Sequence, residues 1–229
     1  RGLGDVYKRQ VVSDDGVLRG VLLESDVDEA LTERAEADRL KAFGIVGGEE
    51  LRTIPVLQRT RRRLSWLSVN VGLNIVAASV IAAFEDTVAA VIALAIFLPI
   101  VSDMSGWSGN QAVAVSMREL TLGVIGVRDA LRVWWKEVQV GLINGLALGV
   151  LLGLAAWLWR DSAVLGLVVG TALGLNTVIA VSIGGTVPLL LKRMGADPAI
   201  ASGPILTTVT DMCGFFLVLG IATLALPWF

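Results

Sequence analysis

The feature that most constrains this chain is a succession of long, nearly uncharged apolar runs, beginning after Arg63 and continuing to the C-terminus. About 20 such residues, as a helix, cross the ~30 Å hydrocarbon core of a bilayer. Backbone inside lipid is satisfied only in helices or closed barrels. Charge is partitioned to match: residues 1–63 hold 24 of the 40 charged side chains, and the remaining 16 fall mostly between the runs. Hydrophobic residues make up 55% of the chain and charged ones 17%, against about 25% charged in soluble domains. These values exclude a disordered chain, a collagen and an ordinary soluble domain. The net charge of −2 argues against a nucleic-acid binder. A single Cys excludes an intramolecular disulfide, and the lack of His removes the commonest zinc ligand and the usual general base.

The expectation is therefore an all-α membrane protein with five transmembrane helices within 64–229, preceded by a polar N-terminal piece. The spans are predicted at about 64–84, 88–117, 134–159, 164–191 and 199–226, with Glu85 and Asp86 in a short turn between the first two. In the second span, Pro99, Gly106 and Gly109 are read as interruptions, with Ser102, Ser105, Ser108, Asn110 and Gln111 at membrane depth. Gly141, Gly145, Gly149 and Gly153 recur every four residues on the third span, and Gly166, Gly170 and Gly174 on the fourth. Small residues at that spacing let helix backbones approach closely in lipid.

Upstream, the chain starts at Arg1, and residues 1–10 lack periodicity. They are set aside as a fragment edge or assembly scar, with more chain expected before them. Residues 11–23 read as a β-hairpin, two apolar runs flanking Asp14-Asp15-Gly16. Ser25 is expected to cap a polar helix from Asp26 to about Gly44, with Gly47-Gly48 ending it. A second amphipathic stretch, 49–63, finishes in Arg59, Arg61, Arg62 and Arg63. That cluster, Arg118, Arg128, Arg132 and Lys136, and Lys192 with Arg193 all fall on one side of five spans. The excess of Lys and Arg in cytoplasmic loops then puts the N-terminus in the cytoplasm and the C-terminus outside.

Asp211 is the most informative residue. It lies ~12 residues, about 18 Å, into the fifth span, where a central Asp costs roughly 2.5–3.5 kcal/mol on insertion scales. No Lys or Arg lies in any span interior to pair with it. A hydrated cation is the simplest remaining partner; the alternative is a protonated Asp bonded to a neighbouring helix. Thr207, Thr208 and Thr210 surround it with hydroxyls, and Gly203-Pro204 is expected to loosen the helix just before. Asp103, Gly106, Gly109, Asn110 and Gln111 add hard oxygen donors of the kind Mg²⁺ and Ca²⁺ prefer, unless this segment is a polar hinge. Asn144 and Asn176 are assigned to interhelical hydrogen bonds, and Cys213 to apolar filling.

Several segments carry a resemblance. RRRLSWLSVN at 61–70, FEDT at 84–87, LPIV…GNQA at 98–112 and PLLLKRMGADPAIASGPILTTVTDMCGF at 188–215 follow one family in order and spacing. The chain resembles the C-terminal part of MgtE-type magnesium transporters. The resemblance implies a homodimer in the plasma (bacterial inner) membrane, a CBS-domain remnant at 11–25 and a plug or connecting helix within 26–63. It implies that Asp211 holds hydrated Mg²⁺ on the dimer axis, with Gly203, Thr207, Asn110 and Asp103 near the ion. It also implies regulatory Mg²⁺ on the plug helix, where Glu36 and Asp38 are the candidates; the plain alternative is a solvated linker helix. Asp103 and Trp107 depart from the family's Gly-x-Gly-Gly-Asn-x-Gly pattern, and Arg39 follows Asp38 where a second acid is usual. The function implied is Mg²⁺ transport gated by cytosolic Mg²⁺, and no enzymatic activity. A proton- or sodium-coupled carrier with Asp211 titrating, and more remotely an intramembrane aspartyl protease using Asp103 and Asp211, are the alternatives.

Overall fold

The computed structural model describes residues 8–13, 15–45 and 53–229. They fall into two compact units, Arg1–Arg63 and Leu64–Phe229.

In the first unit, strands β1 (Lys8–Val12) and β2 (Leu18–Leu23) pair antiparallel, Gln10 opposite Val21, with a bulge at Val11/Val12. The hairpin thus takes in Lys8–Gln10, which the sequence reading had set aside. Helix α1 (Glu24–Ala42) follows β2 directly. Ser25 lies inside this helix and does not cap it. The start is secured by the Asp26 carboxylate, which accepts the Leu23 backbone N–H at 3.1 Å. The helix ends before Gly44, whose φ of +81° is the left-handed conformation that stops a helix. Gly47 and Gly48, expected to end it, lie outside the described residues, as does part of the 49–63 stretch.

Helix α2 (Val56–Ala83) carries the arginine cluster, assigned to the first unit, and the first apolar run, assigned to the second, as one helix that starts before the expected 64. Glu85 and Asp86 form the first turn of a short helix, α3 (Glu85–Ala90), where acids suit the helix dipole. Helix α4 (Leu94–Thr121) then runs unbroken through Pro99, Gly106 and Gly109. The expected interruptions do not occur. Pro99 sits in the second turn, and a break deeper in lipid would strand backbone groups without partners. Helices α5 (Ala130–Arg160), α6 (Ala163–Arg193) and α7 (Pro198–Ala225) complete the bundle. Pro204 is likewise accommodated inside α7, so the expected loosening there is not seen.

Four helical segments, Val56–Ala83, Val127–Arg160, Ala163–Arg193 and Ser202–Trp228, are long and apolar enough to cross a membrane. The chain is a helical membrane protein. Helix α4, expected as the second span, is as long as α2 but is not among these four, because polar residues from Ser102 to Gln111 interrupt its apolar stretch. It packs at the centre through a stripe that includes Leu98, Val101, Ser102, Ser105, Gly109, Ala112 and Ser116, spaced three or four residues apart. Helix α6 is the central helix, packed along α4, α5 and α7. The core joins Phe97 and Val101 of α4, Ala156 of α5, Val169 and Leu173 of α6, and Val218 and Leu219 of α7.

The glycine periodicity does what the sequence predicts. Gly145, Gly149 and Gly153 of α5 face Gly174, Gly170 and Gly166 of α6 backbone to backbone. A Cβ on Gly149 would lie 2.6 Å from the Gly170 carbonyl oxygen, and one on Gly153 would lie 2.9 Å from that of Gly166.

Candidate functional site

The site lies on the seam where α4 and α7 run antiparallel. Ser102 sits opposite Asp211, Gly106 opposite Thr210, and Gly109 opposite Leu206. Glycines permit this register: a Cβ on Gly109 would come within 2.9 Å of the Leu206 side chain, and Gly184 of α6 meets the Gly109 backbone too closely for any side chain.

Asp211 is half-exposed on α7. The Ser102 hydroxyl, buried on α4, donates to its Oδ1. Gly203 and Thr207 precede it at i−8 and i−4 and so share its stripe. The exposed Thr207 hydroxyl donates to the Gly203 carbonyl at 3.0 Å. On α4, Asp103, Trp107 and Asn110 fall at i, i+4 and i+7 on one exposed face, with Gln111 beside them. Asp103 directly follows Ser102, the hydrogen-bond partner of Asp211, on α4. The structure thus brings Asp211, Asp103, Thr207 and Gly203 to one seam, and Asn110 to the same face of α4 two turns from Asp103.

Beneath this face lies a buried polar brace. Asn176 of α6, fully buried, donates through Nδ2 to Ser105 Oγ of α4 at 2.6 Å and to the Thr210 carbonyl of α7 at 3.0 Å. The expected interhelical role of Asn176 is met. Asn144 does not share it: it is half-buried on α5, with no side-chain hydrogen bond among the described residues. The sequence reading missed the role of Ser102. Its signal was a serine on the buried stripe of α4 lying in register with an acid on α7.

Among the described residues no group of three or more His, Cys, Asp or Glu side chains could hold a metal ion. One chain therefore offers the Asp103–Asp211 pair plus hydroxyl, amide and carbonyl oxygens, a set that leaves most of an ion's water shell in place. No hydrogen bond joins the two acids among the described residues; Asp211 accepts from Ser102 instead. In the other unit, Asp38 pairs with Lys41 at 3.6 Å, while Glu36 is exposed. At a spacing of two residues Glu36 and Asp38 do not face each other. Glu36 instead shares a face with Glu29 and Glu33.

A family model for MgtE, described as a divalent cation transporter, matches residues 98–221, which include every residue of the seam. The chain is 32% identical over 213 residues to the magnesium transporter MgtE of Bacillus subtilis (strain 168), covering 93% of this chain and 47% of that protein. It is 34% identical over 219 residues to the magnesium transporter MgtE of Thermus thermophilus, covering 94% and 48%. The corresponding protein of Enterococcus faecalis is 29% identical over 219 residues, covering 96% and 48%. The chain spans about half the length of these curated relatives.

Proposed function

The chain belongs to the MgtE divalent cation transporter family, and from that premise we propose that it carries Mg²⁺ across a membrane through a pore built on the α4–α7 seam at a homodimer interface. Members of the family are transporters, not enzymes, and neither the coupled carrier nor the aspartyl protease is favoured.

The observation that carries the proposal is the exposed polar face of that seam. A helical membrane protein that turns Asp103, Asn110, Gln111, Thr207 and Asp211 outward cannot leave them against lipid tails. Each acid alone would cost roughly 2.5–3.5 kcal/mol at mid-bilayer. A second copy related by a two-fold axis would cover the face with its own equivalent and enclose a polar path. Two Asp211 carboxylates would then confront one ion. Mg²⁺ dehydrates reluctantly and is bound through one or two carboxylates with several waters retained. The sparse donor set of the seam suits that demand.

The arginine and lysine clusters support an N-terminus in the cytoplasm and a C-terminus outside, in the plasma or bacterial inner membrane. The inward-negative potential would then drive entry, by ~2.3 kcal/mol per charge per 100 mV. Gating by cytosolic Mg²⁺ belongs to the same proposal. The acidic face of α1, with Glu29, Glu33 and Glu36, would repel its neighbours at low Mg²⁺ and be bridged at high Mg²⁺. The region from β1 to α1 is read as the CBS remnant and plug helix. The test is Mg²⁺ uptake by the full-length protein in proteoliposomes. Asp211→Ala abolishes uptake; wild-type uptake by that variant defeats the pore assignment.

A further inference from the structure

The hydroxyls of Ser105, Ser108, Thr177, Ser182, Thr207 and Thr208 donate to carbonyls three or four residues back in their own helix. Ser116 crosses instead to a backbone carbonyl of α6, and Ser102 crosses to a carboxylate. Buried on α4 and 8% exposed, it donates across the seam to Oδ1 of Asp211. Oδ2 of Asp211 has no hydrogen-bond partner among the described residues.

The surroundings fix this arrangement. One turn from Ser102, the Ser105 hydroxyl receives Asn176 Nδ2, and the other proton of that amide goes to the carbonyl of Thr210, the residue before Asp211. A backbone carbonyl only accepts, so the Thr210 contact dictates which end of the amide faces the seam. Asn176 thereby ties the two backbones that carry Ser102 and Asp211. Gly214 keeps the space open: a Cβ there would lie 2.7 Å from Asn176 Nδ2 and 3.7 Å from Ser102 Cα.

We propose that Ser102 is a positioning residue that sets ion selectivity: by holding Oδ1 of Asp211 it fixes the turn of the carboxylate and presents Oδ2 to the ion. Ca²⁺ accepts bidentate carboxylates and six to eight oxygen ligands, whereas Mg²⁺ keeps its waters and takes few protein ligands. A carboxylate whose Oδ1 is held by a buried hydroxyl turns to chelate only by straining a charge-assisted hydrogen bond, one of the strong kinds. The bond therefore penalises chelation of Ca²⁺ and leaves a water-clad Mg²⁺ unaffected. The inference rests on the reading of Asp211 as the ion-binding carboxylate.

The experiment measures Mg²⁺ uptake by the full-length protein in proteoliposomes against increasing Ca²⁺. In Ser102→Ala, Ca²⁺ competes about tenfold more effectively relative to Mg²⁺, a factor equal to ~1.4 kcal/mol. Ser102→Thr keeps the hydroxyl and restores the wild-type ratio. A merely structural role for Ser102 would lower uptake without moving the ratio, and that result overturns the inference. So does an equal shift in the alanine and threonine variants. If Ser102→Ala is not monodisperse, Ser102→Cys, close in size but a weak donor, is judged by the same ratio. Asp211→Ala separates the two readings. Wild-type uptake in that variant defeats the pore assignment itself; abolished uptake there, with an unchanged ratio in Ser102→Ala, defeats only the role of Ser102.

Discussion

Replacing Gly170 and Gly72, each with alanine, gives changes of opposite sign in the same chain. Both residues lie inside helices, where alanine is intrinsically better than glycine by about 1 kcal/mol. At Gly72 on α2 a Cβ meets nothing within 4 Å, so that gain is expected to appear undiminished. At Gly170 on α6 the same atom would lie 2.6 Å from the Gly149 carbonyl oxygen and 3.1 Å from the Gly153 Cα. Both neighbours are backbone of α5, and no flexible side chain can swing aside. The helices must part, and overpacking of that kind costs about 1–3 kcal/mol. Against the propensity gain, the net is a loss of up to ~2 kcal/mol for Gly170→Ala and a gain of up to ~1 kcal/mol for Gly72→Ala. At ~2–4 °C per kcal/mol for a chain of this size, that difference of about 1–3 kcal/mol should separate the apparent Tm values by roughly 2–12 °C. Thermal unfolding followed by size-exclusion of detergent-solubilised protein reads the difference. Equal Tm values, or a more stable Gly170→Ala, would refute the account of α5–α6 packing as backbone contact through glycine.

Two further substitutions probe the seam and its support. Asp103→Asn removes an exposed charge next to Ser102 on the seam; the half-saturating Mg²⁺ concentration for uptake should rise about two- to fivefold, the scale of a ~0.5–1 kcal/mol interaction, with less change at high salt. An unaltered half-saturation in low salt would remove Asp103 from the site. Ser116 of α4 is 1% exposed and donates to the Gly185 carbonyl of α6 at 2.7 Å. Ser116→Ala should cost about 0.6–1 kcal/mol, lowering Tm by a few degrees while the Ca²⁺-to-Mg²⁺ ratio stays at its wild-type value. A shifted ratio would mean that selectivity extends beyond the Asp211 end of the seam.

What could be read from the sequence was whatever lipid enforces strongly. An ionisable Asp211 without a cation in any span interior, and glycines at a period of four on α5 and α6, have few alternative explanations in a bilayer. Asn176 belongs with them, because a buried amide must find partners. The error at Pro99, Gly106 and Gly109 came from applying soluble-helix rules, under which glycine and proline end helices. In lipid an unpaired backbone is the greater cost, and α4 stays helical. Those glycines are there for approach: Gly109 lets α4 meet Leu206 and Gly184. Asn144 misled in the other direction, since its type matched Asn176 but its position on α5 is only half-buried. Ser102 could not be singled out among the serines of α4 until the register of α4 against α7 was known. That register depends on close approaches between helices that no single helix encodes.

Small residues thus serve two unlike purposes on opposite faces of α6. Toward α5, Gly166, Gly170 and Gly174 bring backbones together with no polar side chain between them. That contact has no hydration to lose, so an ion nearby would leave it unchanged. Toward α4 and α7, Asn176, Ala180 and Gly184 make room for hydroxyls, an amide and a carboxylate. The hydroxyls, amide and carboxylate on that side have bonds that an ion or its water could compete for. Helix α6 therefore separates a seam whose free energy depends on packing alone from one whose free energy depends on what occupies it. If so, damage to the α5–α6 face should reduce the amount of folded protein without changing ion preference. Damage around Ser102, Asn176 and Asp211 should change ion preference even where the fold survives.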